Sequence, residues 1–378
     1  MDQTGPPSAQ PADVRQNGGA QHLAPGDPAP WFRAQALDGA PSYVFDTAGG
    51  RPILLLFFGL ASSTKSAAAL ALVQSRRELF DDHNGCFFGV TVDPSDAAEG
   101  RIAQQLPGIR FFLDYDHKIS RLYGADTGNG CYEPHWLLLD RTLRVAGVFA
   151  VEAGAAALEA LAAMAKEPPL PGLAPVLTVP NILEPELCRH LVALYEKHGG
   201  EESGFMREVN GKTVMLTDPS HKRRRDFLIE DPALQKQLAL RVGRRLKPMI
   251  QRAFQFEATR MERYIVACYD AEVGGHFRPH RDNTTSGTAH RRFAVTVNLN
   301  AGDYEGGDLR FPEYGSATYR APTGGAVVFS CSILHEATPV TRGTRYAFLP
   351  FLYDEAAAEL REANNARLGE GVGAYNKG

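Results

Sequence analysis

Short apolar runs alternate with helix-like segments in the first half of the chain. The run ILLLFFGLA (53–61) has the length and composition of a buried strand. Strands that alternate with helices indicate an α/β domain, which we predict over residues 23–166. In order, the pattern predicts a strand at 53–61, a helix at 65–80, a strand at 86–93, a helix at 96–106, two strands over 135–149 and a helix at 155–166.

The second half has a different pattern, and a proline-rich stretch marks the change. KEPPLPGLAP (166–175) holds four prolines in ten residues, which excludes a helix or a central strand and predicts a stiff linker over 167–175. Helices predicted at 184–198 and 232–254 precede many short β-type runs. We therefore expect an α+β domain over 176–355, with an antiparallel barrel or sandwich supported by helices.

Composition narrows the function classes. The chain has 378 residues, a formal net charge of -4 and an isoelectric point near 6.3, so we expect no nucleic-acid or membrane partner. Pro, Gly and Gln dominate residues 1–22, which are predicted to be disordered, and residues 356–378 form a predicted tail. Five widely spaced cysteines and no visible signal segment favour a cytoplasmic protein without disulfides.

The stretch EVGGHFRPHRDN (272–283) carries candidate metal ligands. His280 and Asp282 are separated by one residue, so on an extended strand both side chains point to the same face. His335 follows a second apolar run, VVFS, and can supply a third ligand. Two histidines and one carboxylate form the facial triad of non-haem Fe(II) oxygenases. On its own a His-x-Asp pair is more often an ordinary surface feature, so the prediction depends on its surroundings.

Arg345, ten residues after His335, is the main supporting observation. It begins a new β-type run, TRYAF, and an arginine inside a barrel is costly unless an anion meets it. A guanidinium suits a carboxylate, so a dicarboxylic co-substrate could reach from the metal to Arg345. The alternative is an exposed arginine at the end of a strand.

These motifs, in this order, resemble the iron- and 2-oxoglutarate-dependent dioxygenases, specifically the prolyl 4-hydroxylase-like branch. The resemblance rests on PNILEPELC, YDAEVGGHFRPHRD, VTVNLN with YEGGDLRF, and GGAVVFSCSILHEATPVTRGTRYAF, within residues 176–353. It implies a double-stranded β-helix, or jelly roll. It also implies Fe(II) on His280, Asp282 and His335, and 2-oxoglutarate on Arg345 and Tyr269. Because DAEVGG makes the spacing after Tyr269 longer than usual, Tyr264 is the alternative to Tyr269.

The same resemblance implies hydroxylation of a C–H bond with O2 and 2-oxoglutarate as co-substrates and with release of succinate and CO2, and L-ascorbate is a reductant commonly associated with this branch. A prolyl residue of a protein or peptide is the substrate expected from the family. A free amino acid and a small natural product are alternatives, as is a non-enzymatic scaffold. A hairpin around Asn210-Gly211 makes residues 203–217 a candidate lid over the site.

Residues 23–166 resemble the thioredoxin fold, closest to redoxin domains of the peroxiredoxin type. The resemblance rests on GDPAPWFRAQALDG, RPILLLFFGLASSTKS, VTVDPSD and EPHWLLLD. The position of the reactive cysteine holds only hydroxyls, Ser62, Ser63 and Thr64, which cannot replace a thiolate at neutral pH. We therefore predict a non-catalytic domain, with substrate docking or a homodimer as its role. Cys131 is the one thiol that keeps a thiol peroxidase activity as an alternative.

The basic run His221-Lys222-Arg223-Arg224-Arg225 has two interpretations. A solvated loop is the preferred one, and contact with an acidic substrate or partner is the other.

Overall fold

The computed structural model describes residues 23–39, 42–167 and 173–375, and these form two compact units. The first unit takes the described residues of Met1–Pro41 and Ile53–Ala163, and the second takes those of Ser42–Pro52 and Met164–Gly378. The predicted disorder at 1–22 lies outside the described residues, as do 168–172 of the predicted linker and 376–378 of the predicted tail. The domain boundaries drawn from the sequence stay predictions.

The first unit is built on a five-stranded sheet in the order β5-β4-β3-β6-β7. Strands β3, β4 and β5 are parallel, β6 pairs with β3 in the antiparallel sense, and β7 pairs with β6 in the antiparallel sense, so that β7 runs in the same direction as β3. The elements as far as residue 166, of which β2 belongs to the second unit, are β1 (Arg33–Ala34), β2 (Tyr43–Val44), β3 (Ile53–Gly59), α1 (Thr64–Ser75), β4 (Cys86–Thr91), α2 (Pro94–Ala98), β5 (Ile109–Leu113), α3 (Lys118–Leu122), β6 (His135–Leu139), β7 (Val145–Ala150) and α4 (Gly154–Lys166).

Most predicted elements of this unit are confirmed, but the helix expected at 96–106 is wrong in extent. Helix α2 ends at Ala98, and Gly100 follows with a φ of 66°, a left-handed conformation that stops helix propagation. The start of α2 follows from its sequence, because Asp93 caps it by accepting a hydrogen bond from the Ser95 amide at 2.8 Å.

The α-helices that begin within the described part of the second unit are α5 (Pro185–His198), α6 (Pro232–Arg241), α7 (Lys247–Phe254) and α8 (Glu355–Ala363). A π-helical turn, Val242–Leu246, joins α6 to α7, so the predicted helix at 232–254 is continuous but not uniform. Helix α8 occupies the beginning of the predicted tail at 356–378.

The strands of the second unit form a large antiparallel sheet and a smaller one. The large sheet has the order β14-β25-β17-β24-β15-β13-β9, with β21 and β8 joined to it at β17, and the smaller has the order β12-β16-β22-β19-β20. The strands are β8 (Leu177–Val179), β9 (Glu201–Glu202), β10 (Phe205–Val209), β11 (Lys212–Leu216), β12 (Lys222–Arg223), β13 (Arg225–Leu228), β14 (Arg260–Glu262), β15 (Ile265–Asp270), β16 (His276–His280), β17 (Phe293–Asn298), β18 (Glu305–Gly306), β19 (Leu309–Arg310), β20 (Thr318–Tyr319), β21 (Ala326–Ser330), β22 (His335–Ala337), β23 (Val340–Arg342), β24 (Thr344–Phe348) and β25 (Phe351–Tyr353).

The side chains of β15 point alternately to the two faces of the large sheet, and both faces are packed. Val266 and Cys268 pack into a hydrophobic cluster with the helices, whereas Ala267 and Tyr269 pack into another cluster with residues of the smaller sheet. Because successive strand residues face opposite ways, helices α5 to α7 cover one face and leave the other for the smaller sheet. The site described below lies on that second face.

No helix in the described part of the chain is long and apolar enough to cross a membrane.

Leu191 tests whether the helix-side core stabilises the second unit. Its side chain on α5 is fully buried among the leucines of α6 and the large sheet. We expect Leu191→Ala to lower the free energy of unfolding by about 2–5 kcal/mol, because it leaves a cavity. Leu240→Ala, on an α6 side chain that is 54% exposed, should change it by less than about 0.5 kcal/mol. Urea denaturation followed by circular dichroism measures both, and equal effects would contradict the assignment of this core.

Candidate functional site

A pocket of about 470 Å³, which includes its open mouth, lies between the two sheets of the second unit. The smaller sheet contributes side chains from β16, β19 and β22, and the large sheet contributes side chains from β15, β17, β21, β24 and β25. Its polar lining residues are Arg224, Arg263, Tyr269, His280, Asp282, Thr296, His335 and Arg345. Apolar residues from both sheets make up the rest of the lining.

Strand pairing brings the two candidate histidine ligands together. His280 ends β16 and His335 begins β22, and the two residues are direct partners across this antiparallel pair. Each ring donates from Nδ1 to a backbone carbonyl two residues earlier, His280 to Arg278 at 2.7 Å and His335 to Ile333 at 3.0 Å. These bonds fix the rings so that both Nε2 atoms face the pocket as acceptors, which is how metal-binding histidines are held.

Asp282 completes the cluster. Its carboxylate oxygens lie 3.6 Å from Nε2 of His280 and 3.3 Å from Nε2 of His335. One nitrogen or oxygen from each residue lies within 4.8 Å of the others. Burial, with the neighbouring His335, lowers the pKa of His280 well below its ordinary value, so this imidazole is neutral at pH 7. Two imidazoles and a carboxylate on one side of a pocket fit an octahedral metal with open positions.

His276 lies in the same stretch and takes no part in the cluster. Its ring contacts the backbone carbonyls of Gly274 at 2.7 Å and Ser220 at 3.4 Å. The geometry therefore separates the two histidines of EVGGHFRPHRDN in the way that their spacing to Asp282 predicts.

Arg345 is buried at 2% exposure and lines the same pocket. Its Nε and Nη1 atoms have no hydrogen-bond partner within the protein. A buried guanidinium with unused donors is costly, so this position needs an anion. The alternative of an exposed arginine at the end of a strand is wrong, because β24 runs through the sheet interior.

Tyr269 also lines the pocket, and Tyr264 does not. Tyr269 is the cross-strand partner of Arg345, whose guanidinium carbon lies 4.9 Å from the centre of the tyrosine ring. Tyr264 packs against the helix-side core. Position alone therefore favours Tyr269 over its alternative, and the contact of Tyr269 with 2-oxoglutarate stays a prediction.

Comparison with known proteins agrees with this geometry. Residues 264–353, which hold the histidine and aspartate cluster and Arg345, match the model of the 2OG-Fe(II) oxygenase superfamily. The second unit is a 2OG-Fe(II) oxygenase domain. Residues 25–148 match the AhpC/TSA family. The predictions of a thioredoxin-like N-terminal domain, a C-terminal jelly roll and a prolyl hydroxylase-like dioxygenase are confirmed at the level of these families.

Individual relatives cover only part of the chain. A PKHD-type hydroxylase of Cupriavidus metallidurans is 28% identical over 183 residues, which is 46% of this chain and 75% of that protein. A PKHD-type hydroxylase of Synechococcus is 34% identical over 89 residues, 22% of this chain and 39% of its own length. The crystal structure of a Pseudomonas putida prolyl-4-hydroxylase is 21% identical with a TM-score of 0.34, and the match covers 48% of this chain and 94% of the other.

In the AhpC/TSA-like unit, a hydroxyl occupies the position where the resemblance to redoxin domains implies a reactive cysteine thiolate. Ser63 is the residue that caps α1, and its Oγ accepts a hydrogen bond from the Ser66 amide at 3.2 Å. Ser66 in turn donates to the Phe58 carbonyl at 2.8 Å. These hydroxyls satisfy the start of a helix, which is a structural task.

The interpretation of the basic run at 221–225 as a solvated loop is wrong for two of its residues. Lys222 and Arg224 are only 5% and 6% exposed, while Arg223 and Arg225 between and after them are exposed. Burial alternates with a period of two along this run, which spans β12, paired with β16, and the start of β13, paired with β15. The residue types of the run do not alternate, so its sequence gives no signal of this burial, and none marks Arg263, which also lines the pocket.

The predicted hairpin over 203–217 forms, with β10 paired to β11, but none of its residues lines the pocket. Glu208 accepts hydrogen bonds from the amide and hydroxyl of Ser286, and Thr213 accepts one from the amide of Gly287 at 2.8 Å. The hairpin is thus attached to the loop that follows Asp282.

Metal affinity tests the cluster directly. We expect His280→Ala, Asp282→Ala and His335→Ala each to lower Fe(II) affinity at least ~100-fold, because even partners of metal ligands contribute about 10–100-fold. His276→Ala is the matched control from the same stretch and should bind like the wild type. Equilibrium dialysis without O2, followed by metal analysis, gives the affinities. Equal losses in all four variants would show that the cluster is not the metal site.

Peroxide consumption tests the N-terminal unit. Cys131 is exposed and free, and the other thiol of this unit, Cys86, is buried in β4. We expect hydrogen peroxide to be consumed no faster by the wild type than by Cys131→Ser in the presence of a thiol reductant. A clear loss in the variant would assign a thiol peroxidase activity to this unit.

Proposed function

We propose that this protein hydroxylates a C–H bond of a prolyl residue in a peptide or protein, with Fe(II) as the metal and 2-oxoglutarate as the co-substrate. The observation that carries the proposal is the convergence in one pocket of His280, Asp282 and His335 with Arg345, whose buried Nε and Nη1 have no hydrogen-bond partner within the protein. A non-enzymatic scaffold needs neither a metal-binding cluster nor a buried arginine with unused hydrogen-bond donors. When bound, Fe(II) and 2-oxoglutarate would supply the chemistry that activates O2, with one oxygen atom placed on the substrate carbon and the other in the succinate that forms as CO2 is released.

His280, Asp282 and His335 would hold the metal. Their arrangement is stiff, because both histidine rings are fixed by backbone carbonyls and His280 stacks on Phe277 with ring centres 3.5 Å apart. The main-chain amide of Asp282 donates to the Cys331 carbonyl at 2.9 Å, which fixes the third ligand to the turn between β21 and β22. A site fixed in advance loses little entropy when it binds its metal.

Arg345 would bind the far carboxylate of 2-oxoglutarate. The carboxylate supplies the acceptors that its buried Nε and Nη1 lack, and burial strengthens the charge-assisted bond. The Tyr269 ring lies against the guanidinium and limits its rotation. Tyr269 is therefore proposed as part of the same co-substrate site.

The apolar lining has a separate task, which is to exclude water from the reacting carbon. Phe277, Leu309 and Phe329 from the two sheets contribute to this lining, as do Pro350 and Phe351. An apolar lining that excludes water protects a reactive site from side reactions, and it suits an apolar ring such as that of proline. The hydroxylase relatives support the same reaction type.

L-ascorbate as a reductant, a homodimer through the N-terminal unit and a role of that unit in docking the substrate belong to the same proposal.

Succinate formation tests the function. We expect the wild type with Fe(II) to convert 2-oxoglutarate to succinate and Asp282→Ala to lose this activity. Arg345→Ala should raise the KM for 2-oxoglutarate by about 10–100-fold, the loss of one or two charge-assisted hydrogen bonds. The KM of Arg345→Lys should lie between those of the wild type and Arg345→Ala, since lysine keeps the charge but lacks the planar guanidinium that can bond a carboxylate through two N–H groups. Arg342→Ala, at a side chain that is 75% exposed, is the control and should leave the KM unchanged.

Absence of succinate from metal-loaded wild type would overturn the proposed function. Turnover with an unchanged KM in Arg345→Ala would leave the reaction in place and remove Arg345 from the co-substrate site.

A further inference from the structure

Arg224 and Arg263 form a second cationic group in the pocket, and neither has a role in the reaction described above. Both residues line the pocket together with the candidate metal ligands. The Arg224 side chain is only 4% exposed, and that of Arg263 is 27% exposed. Cations so poorly solvated need anions close by.

One carboxylate faces both arginines. Nη2 of Arg224 donates to Asp226 at 2.7 Å and to the Ser203 hydroxyl at 3.0 Å, and Nη1 lies 3.4 Å from the Tyr269 hydroxyl. The Arg224 Nε atom is buried and has no partner within the protein. Arg263 reaches the same Asp226 only at 3.5 Å, and Asp226 itself does not line the pocket.

The charge balance calls for a further anion. Arg345 and the two charges of Fe(II) would be matched by Asp282 and by the two carboxylates of 2-oxoglutarate. Arg224 and Arg263 then have only Asp226, so at least one positive charge remains unmatched beside the reacting centre. Lys222 is also buried and brings no anion to this group, because its Nζ donates to neutral acceptors, the Ser203 hydroxyl and the Gly204 carbonyl.

Arg263 carries the cost of this crowding. Burial, followed by the nearby Arg224, lowers the pKa of Arg263 to about 10. Arg263 also has a φ of 65°, a left-handed conformation that is rare for a non-glycine residue and that accumulates at functional sites. A bound anion would offset the crowding of positive charge around Arg263.

We infer that Arg224 and Arg263 bind a carboxylate of the substrate itself, so that the enzyme selects anionic substrates. This rests on the proposed function and names the class of its substrate. The carboxylate has two sources: the free carboxylate of a prolyl compound, or an acidic side chain next to the prolyl residue of a peptide.

The proposed function assigns the co-substrate to Arg345 rather than to Arg224 and Arg263. The guanidinium carbons of Arg345 and Arg224 lie 4.9 Å and 5.8 Å from the centre of the Tyr269 ring, and Arg224 also reaches the tyrosine hydroxyl. Because 2-oxoglutarate has only two carboxylates, one needed at the metal and one at Arg345, it leaves none for Arg224 and Arg263.

Binding without turnover tests the inference. Full-length protein is loaded with Fe(II) and 2-oxoglutarate in the absence of O2, and probes are added by titration calorimetry. One pair of probes is N-acetyl-proline and N-acetyl-prolinamide, and the other is N-acetyl-glutamyl-prolinamide and N-acetyl-glutaminyl-prolinamide. Within each pair only the carboxylate differs. We expect at least one acid to bind about tenfold or more tightly than its amide, as one charge-assisted hydrogen bond implies, and the pair that shows the preference identifies the source.

Variants connect this preference to the arginines. Arg224→Gln and Arg263→Gln should reduce the preference for the acid to about twofold or less, while Arg224→Lys, which keeps the charge, should retain part of it. Arg342→Gln is the matched exposed control and should keep the full preference. Arg263→Gln, at the more exposed position, decides the matter if Arg224→Gln fails to fold by circular dichroism.

Equal affinities for acid and amide in both pairs overturn the inference. So does a rise in the KM for 2-oxoglutarate in Arg224→Gln as large as that in Arg345→Ala with the preference for the acid intact, because Arg224 would then serve the co-substrate. Succinate formation by a wild type without acid preference leaves the proposed function standing. A preference for the acid without succinate formation supports the anion site and overturns the proposed function.

Discussion

The antiparallel pairing of β16 with β22 is the constraint on which the candidate site depends. It places His280 directly opposite His335, and the backbone carbonyls of the same two strands fix both rings by their Nδ1 atoms. Asp282 follows two residues after His280 and reaches both Nε2 atoms. A shift of register by one residue would turn the side chains of one strand to the opposite face and disperse the cluster.

Buried positive charge is the second feature that organises this unit. The face of the large sheet that meets the smaller sheet carries Arg345 on β24, and Arg224 and Arg263 lie on neighbouring segments. Placing three guanidinium groups in a small pocket opposes folding unless anions accompany them. The protein supplies Asp226 and Asp282 for this purpose, and the remaining positive charge is the physical basis for selecting anionic ligands.

Much of this could be predicted from the sequence, because spacing determines geometry on a strand. His280 and Asp282 had to share a face if the stretch was extended, and the strand before His335 was readable from its apolar run. Arg224 was assigned wrongly because a run of basic residues usually marks a solvated surface. Only the pairing of β12 and β13 with the site strands shows that Lys222 and Arg224 point inward. The length of α2 was also missed, because the left-handed Gly100 depends on the turn that follows.

Thermodynamic coupling between the metal and the co-substrate tests the central claim most directly. Titration of 2-oxoglutarate into the full-length protein, with and without Fe(II) and always without O2, measures it. If the ion held by His280, Asp282 and His335 and the Arg345 guanidinium share one ligand, Fe(II) should raise the affinity for 2-oxoglutarate at least about tenfold, a coupling within the usual range between sites. An affinity that does not depend on Fe(II) would show that the metal cluster and Arg345 do not form a common site.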